Sequence, residues 1–168
     1  MTADELKALQ LPLKNRYKET PTAAQVVMRA EGRLGSRDLT CDVPTWKGVV
    51  EAGLHPMAGG DGKSACSGEM LLEAVVGCAG VTLRAVATAL AIPLRGATIT
   101  ALGELDFRGT LGVSRETPVG FQSIKLSFDL ESDAPADQLD KLVQLTERYC
   151  VVLQTLKSPI SVSAERSS

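Results

Sequence analysis

Four cysteines, Cys41, Cys66, Cys78 and Cys150, and a single histidine, His55, are the residues of this chain best suited to nucleophilic or metal-binding chemistry. Cys78 lies inside a long apolar run, and Cys150 lies on a later amphipathic stretch. A thiolate can attack the outer oxygen of a peroxide, leaving a sulfenic acid that a second thiol condenses with to form a disulfide. Such chemistry needs two cysteines that approach within disulfide range, and a cation or oriented donors to keep the first sulfur ionised. An apolar pocket around them would favour an organic peroxide over hydrogen peroxide. The alternative reading is structural, because free cysteine packs well as a small core hydrophobe. The stretch around Cys78 leaves both open.

Other chemistries fit less well. The cysteines form no C-x-x-C pair, so a zinc site would need thiolates from widely separated places. His55, between Leu54 and Pro56, reads as a loop residue. The loop HPMAGGDGKSACSG is rich in glycine but lacks the Walker spacing, which argues against a phosphate cradle. Net charge is −2, there is no long basic run, and six aromatic residues are too few for base-stacking platforms, so nucleic acid is not an expected partner. The N-terminal MTADELKALQ lacks a signal-type apolar core, which suggests a cytoplasmic protein with reduced thiols.

These cysteines must be positioned by the surrounding elements. At 168 residues and 44% hydrophobic composition, the chain suits a globular domain, expected over residues 21–168, with residues 1–20 a helical appendage stopped by Pro12. Gly68–Ile92 reads as a buried central helix of about six turns, with Ser67 as its cap. Glu73 and Arg84 bound an uncharged interior of ten residues, short of the roughly 20 needed to span a bilayer, so no membrane is expected. Leu71, Ala74, Thr82, Ala85 and Ala89 share the Cys78 face, a mostly small surface suited to another helix.

Strands are predicted for Ala24–Glu31, Leu39–Val43 and Trp46–Leu54, with Arg33 and Arg37 in or near a hairpin turn. Ala97–Phe107 and Phe121–Glu131 alternate with period two and form an antiparallel hairpin with one wet face. From Pro135 a helix carries the stripe Leu139, Leu142, Val143, Thr146, Cys150, Leu153 and Leu156, followed by a short strand at Ile160–Ala164.

The glycine loop, the helix EMLLEAVVGCAGVTLRA ending at IPL, the strand GELDFRG, the segment GFQSIKLSFDLES and the closing helix LTERYCVVLQTL together resemble the OsmC/Ohr family, named for osmotic induction and organic hydroperoxide resistance. The resemblance spans roughly Gly53–Leu156. It implies an α+β fold with antiparallel sheets wrapped around two central helices in an intertwined homodimer, its active sites at the subunit interface. It also implies a stress-response thiol peroxidase, with no bound cofactor, that reduces organic hydroperoxides and is recycled by small or lipoyl-type dithiols. On this resemblance Cys78 is the peroxidatic cysteine, Cys150 the resolving one, and Arg33 the thiolate-stabilising arginine. The family glutamate that holds that arginine falls at Gly68, leaving Glu69 as the neighbouring substitute, and the proline that usually follows the second cysteine is Val151. Cys41 and Cys66 lie outside the family pattern, although Cys66 could serve as another partner for Cys78. A non-catalytic OsmC-like stress or apolar-ligand-binding protein is the alternative, with a low-turnover thiol sensor between the two.

Overall fold

The computed structural model describes residues 1–35, 39–158 and 160–166. It shows an α+β chain whose residues divide between two compact units. One comprises Met1–Lys7, Ala74–Thr100 and Ser127–Ser168; the other comprises Ala8–Glu73 and Ala101–Leu126. Helix α1 (Ala3–Glu19) continues through Pro12 instead of stopping there and buries no residue. Proline removes only one intrahelical donor, and the flanking Leu, Lys and Arg residues are good helix formers.

In the second unit, β1 (Arg33–Leu34), β2 (Cys41–Thr45), β3 (Gly48–Gly53) and β4 (Ala65–Cys66) form a sheet in that order. β2 and β3 are antiparallel, with Cys41 opposite Ala52 and Thr45 opposite Gly48. The two-residue turn at Trp46–Lys47 is tied by the Thr45 hydroxyl, which accepts from the Lys47 N–H and donates to the Gly48 carbonyl. The glycine loop is more regular than its composition suggests. Pro56–Ala58 makes a 3-10 turn, His55 Nδ1 accepts from the Met57 N–H at 3.0 Å, and β4 pairs parallel to β3. The His55 ring stacks on Phe107 with centroids 5.0 Å apart.

Phe107 itself has left the strand. It opens α3 (Phe107–Thr110), where the Asp106 carboxylate accepts from the Arg108 N–H and pairs with its guanidinium. Nearby, Phe121 lies so close to Gly103 that a Cβ there would fall 2.5 Å from the ring, a contact only glycine permits.

The central helix forms as α2 (Ser67–Ala89), which takes in Ser67 and stops three residues short of the expected Ile92, with Ala91 in the left-handed region (φ 52°) and the Ile92 N–H bonded to the Ala87 carbonyl at 2.9 Å. Arg84 donates to the Leu94 carbonyl at 2.7 Å and so ties down the turn that follows. β5 (Gly96–Glu104) and β6 (Ser123–Glu131) pair in a second sheet. Bonds from Arg95 to Glu131 and from Gln122 to Glu104 set them antiparallel.

Their burial alternates as the sequence predicts, with Ile124, Leu126, Phe128 and Leu130 turned inward and Lys125, Ser127, Asp129 and Glu131 turned out. In the first unit, Ile99, Phe128 and Leu130 pack against a core of Leu83, Ala87, Ile92 and Leu142. Burying each large aliphatic side chain there contributes about 1.5–3 kcal/mol.

Three expectations fail in ways that share a cause or a boundary. Ala24–Glu31 is not a strand: Pro21–Ala24 is a 3-10 turn and residues 25–32 run without regular pairing. Ile160–Ala164 is likewise irregular and exposed. Alternating apolar residues favour a strand only when another strand supplies the ladder, and the described residues of one chain offer these segments none. The single helix expected from Pro135 is two, α4 (Ala136–Tyr149) and α5 (Val151–Lys157), separated at Cys150.

Candidate active site

Cys78 and Cys150 both belong to the first unit, and the structure brings them together. On α2 the buried line is Val75, Ala79, Leu83 and Ala87, four residues apart. Cys78 sits one residue before that line, about 100° around the helix, so it edges the core and remains half-buried. Gly77 beside it faces open space, whereas Gly80 lies against Ile99. Cys150 is fully buried, and all four cysteines carry free thiols.

The break between α4 and α5 builds the rest of the site. Cys150 leaves the helix with φ −72° and ψ 105°, while its N–H still bonds the Thr146 carbonyl at 2.9 Å. The buried Thr146 hydroxyl donates to the Leu142 carbonyl at 2.8 Å, so it is satisfied inside its own helix. The Gln154 N–H closes the first bond of α5 onto the Cys150 carbonyl, and its side-chain amide donates to the Glu147 carbonyl across the break. The opening N–H groups of α5 therefore lack acceptors within the helix.

Burial alone would raise the Cys78 thiol. The Val152 N–H, the Cys150 thiol, the Val151 N–H and the Thr82 hydroxyl outweigh it and hold Cys78 below the ordinary thiol value. Cys150 moves the other way, pushed up first by burial and then by its bond and charge interaction with Cys78. The arrangement is thus asymmetric: an ionisable, half-buried sulfur accepts from a buried thiol that stays protonated.

The remaining sequence candidates lie in the second unit. Arg33 sits in β1 opposite Asp42, with its side chain 81% exposed and paired to Glu31 at 3.5 Å. Glu31 also binds Arg29 at 2.7 Å. Glu69 is exposed in the first turn of α2, and Arg37 falls outside the described residues. A Cβ at Gly68 would meet the Phe121 ring at 3.5 Å and the Cys66 sulfur at 3.7 Å, both ordinary contacts. Cys41 is half-buried in β2. Among the described residues, no three His, Cys, Asp or Glu side chains gather as a metal site.

Sequence reading places Thr82 on the Cys78 face but gives it no role, and it misses the Val151 and Val152 amides. The helical stripe runs through Cys150 without interruption and hides the break. The available signal is the valine standing where the resembled family has proline.

An α+β fold that joins two free thiols at a helix break defines a dithiol site. The chain belongs to the OsmC-like protein family, whose model matches residues 60–165, a span that includes both cysteines and Glu69 but not Arg33. Its fold is similar to that of an OsmC-like protein from Mycoplasma pneumoniae, with TM-score 0.66 and 16% identity over 79% of this chain and 89% of that one. It is also similar to an organic hydroperoxide resistance protein OsmC from Legionella pneumophila, with TM-score 0.60 and 19% identity over 80% and 91% of the two chains. For the organic hydroperoxide resistance protein OhrB of Bacillus subtilis the TM-score is 0.54, with 15% identity over 79% and 91%. No curated protein sequence matches the chain.

Proposed function

We propose that this protein is a thiol-dependent peroxidase that reduces organic hydroperoxides in the cytoplasm as part of a stress response. The observation that carries this reading is two free thiols in one compact unit, Cys78 half-buried on α2 and Cys150 buried at the break between α4 and α5. The hydroperoxide-resistance relatives with the same fold support it.

The steps follow from the asymmetry of the two thiols. The Cys78 thiolate attacks the outer peroxide oxygen, the O–O bond breaks, and the alkoxide takes a proton from solvent to leave as an alcohol. Cys78 is then a sulfenic acid. The Cys150 sulfur attacks it, forming the disulfide and releasing water. An external dithiol of small or lipoyl type reduces that disulfide by exchange and is itself oxidised to a disulfide. Uncharged helix neighbours of Cys78, among them Ala74, Gly77 and Val81, suit an alkyl substituent on the peroxide. Arg33, with Glu69 in support, is the cation proposed to polarise the peroxide. The working form is a homodimer of the domain spanning residues 21–168.

Steady-state consumption of cumene hydroperoxide with a lipoyl dithiol tests the assignment. Cys78→Ser is expected to abolish turnover, Cys150→Ser to leave about one peroxide consumed per chain, and Arg33→Ala to lower kcat/KM by about tenfold or more, the scale of one lost charge-assisted contact. Full turnover by Cys78→Ser would overturn the reading.

A further inference from the structure

We propose that the cavity walled by β3 and the glycine loop binds a small organic cation, a primary ammonium on a short apolar chain, with Glu51 as its counter-charge. The site does not depend on the peroxidase reading. Its lining residues all belong to the second unit, whereas Cys78 and Cys150 belong to the first.

The cavity measures about 390 Å³, inside the range of about 300–1,000 Å³ usual for small-molecule sites. Two glycines shape its wall. A Cβ at Gly60 would fall 1.7 Å from the Leu54 carbonyl oxygen, so only glycine lets the loop fold back against the end of β3. A Cβ at Gly53 would fall 2.7 Å from the Ser64 Cβ, so the bare backbone of Gly53 lets Ser64 lie against the strand. From there the Ser64 hydroxyl donates to Glu51 Oε1 at 2.7 Å and orients that carboxylate in the cavity wall.

The charges around Glu51 do not balance. Glu51 stands directly across the β2–β3 ladder from Asp42, and like charges opposite one another on a sheet face repel. Arg33 lies opposite Asp42 in turn, but its guanidinium pairs with Glu31. Lys63 lines the cavity, yet its ammonium is held by Asp61 at 3.2 Å. Among the described residues, no ion pair reaches Asp42 or Glu51. An ammonium in the cavity would take a charge-assisted bond from an already oriented carboxylate and offset its repulsion with Asp42. Leu39 and Leu54 line the same cavity and suit the alkyl chain. An anionic ligand would meet a repulsive field there instead.

The test titrates n-butylammonium into the full-length protein and follows the Gly60 and Ser64 amide resonances, with n-butanol and butyrate as the uncharged and anionic controls. Saturable shifts are expected with n-butylammonium alone. Glu51→Gln, which keeps an acceptor for the Ser64 hydroxyl, should weaken binding by about tenfold or more, the scale of one lost charge-assisted contact. Lys63→Met leaves Asp61 without its cation and should tighten binding by about threefold, a gain that damage to the fold cannot mimic. Shifts that fail to saturate, equal binding of n-butanol, or an unchanged affinity in Glu51→Gln would overturn the proposal.

Discussion

Two residues of the same type are driven in opposite directions by their surroundings. Cys78 gains enough donors to ionise below the ordinary thiol value, whereas Cys150, buried and bonded to Cys78, ionises above it. The consequence for stability has a definite sign. Between the Cys78 midpoint and the ordinary value of about 8.5, the unfolded chain holds a proton that the native state has released, so stability rises with pH. Above that value the unfolded chain has lost the Cys150 proton that the native state retains, and stability falls. Urea unfolding across this range should show both limbs in the reduced wild type, with Cys78→Ala losing the rise and Cys150→Ala losing the fall. A Cys78→Ala curve parallel to wild type would contradict the assignment. The two cysteines were legible from residue type and setting, but their donors were not, because backbone amides carry no side-chain signature.

The elements show where sequence pattern suffices and where it stops. Period-two alternation located β5 and β6, and the long apolar run located α2, because both signals are local. By length and composition α2 could also cross a membrane, and only 22% of its most apolar window is buried within one chain. Its half-open surface accompanies a second unmet need, the irregular segment after Ala24, where Val27 is 95% exposed and Val26 and Met28 stand beside it. The homodimer proposed above would meet both needs, with a strand of its second copy pairing this segment and its surface covering α2. Sedimentation equilibrium should therefore give twice the 17.7 kDa chain mass, with Val27→Glu shifted toward the monomer. A wild-type mass of one chain would contradict the dimer. Pairing between copies leaves no mark in a single sequence beyond an apolar stretch that finds no partner at home.

For the whole molecule, the OsmC-like fold was legible because its signature segments recur in order from the glycine loop to the last helix, and the family match from residue 60 to 165 covers most of that span. The break at Cys150 was not, since Leu142, Thr146, Cys150 and Leu153 keep helical spacing across it. Yet that break holds the buried Cys150 thiol between α4 and α5 and leaves the opening amides of α5 without acceptors in their own helix. The central claim is that the Cys78 and Cys150 sulfurs act in sequence on one peroxide. Peptide mapping after one equivalent of cumene hydroperoxide tests this most directly. A Cys78–Cys150 disulfide is expected in the wild type, and a trappable Cys78 sulfenic acid in Cys150→Ser. Cys78 recovered as a free thiol beside unconsumed peroxide would contradict it.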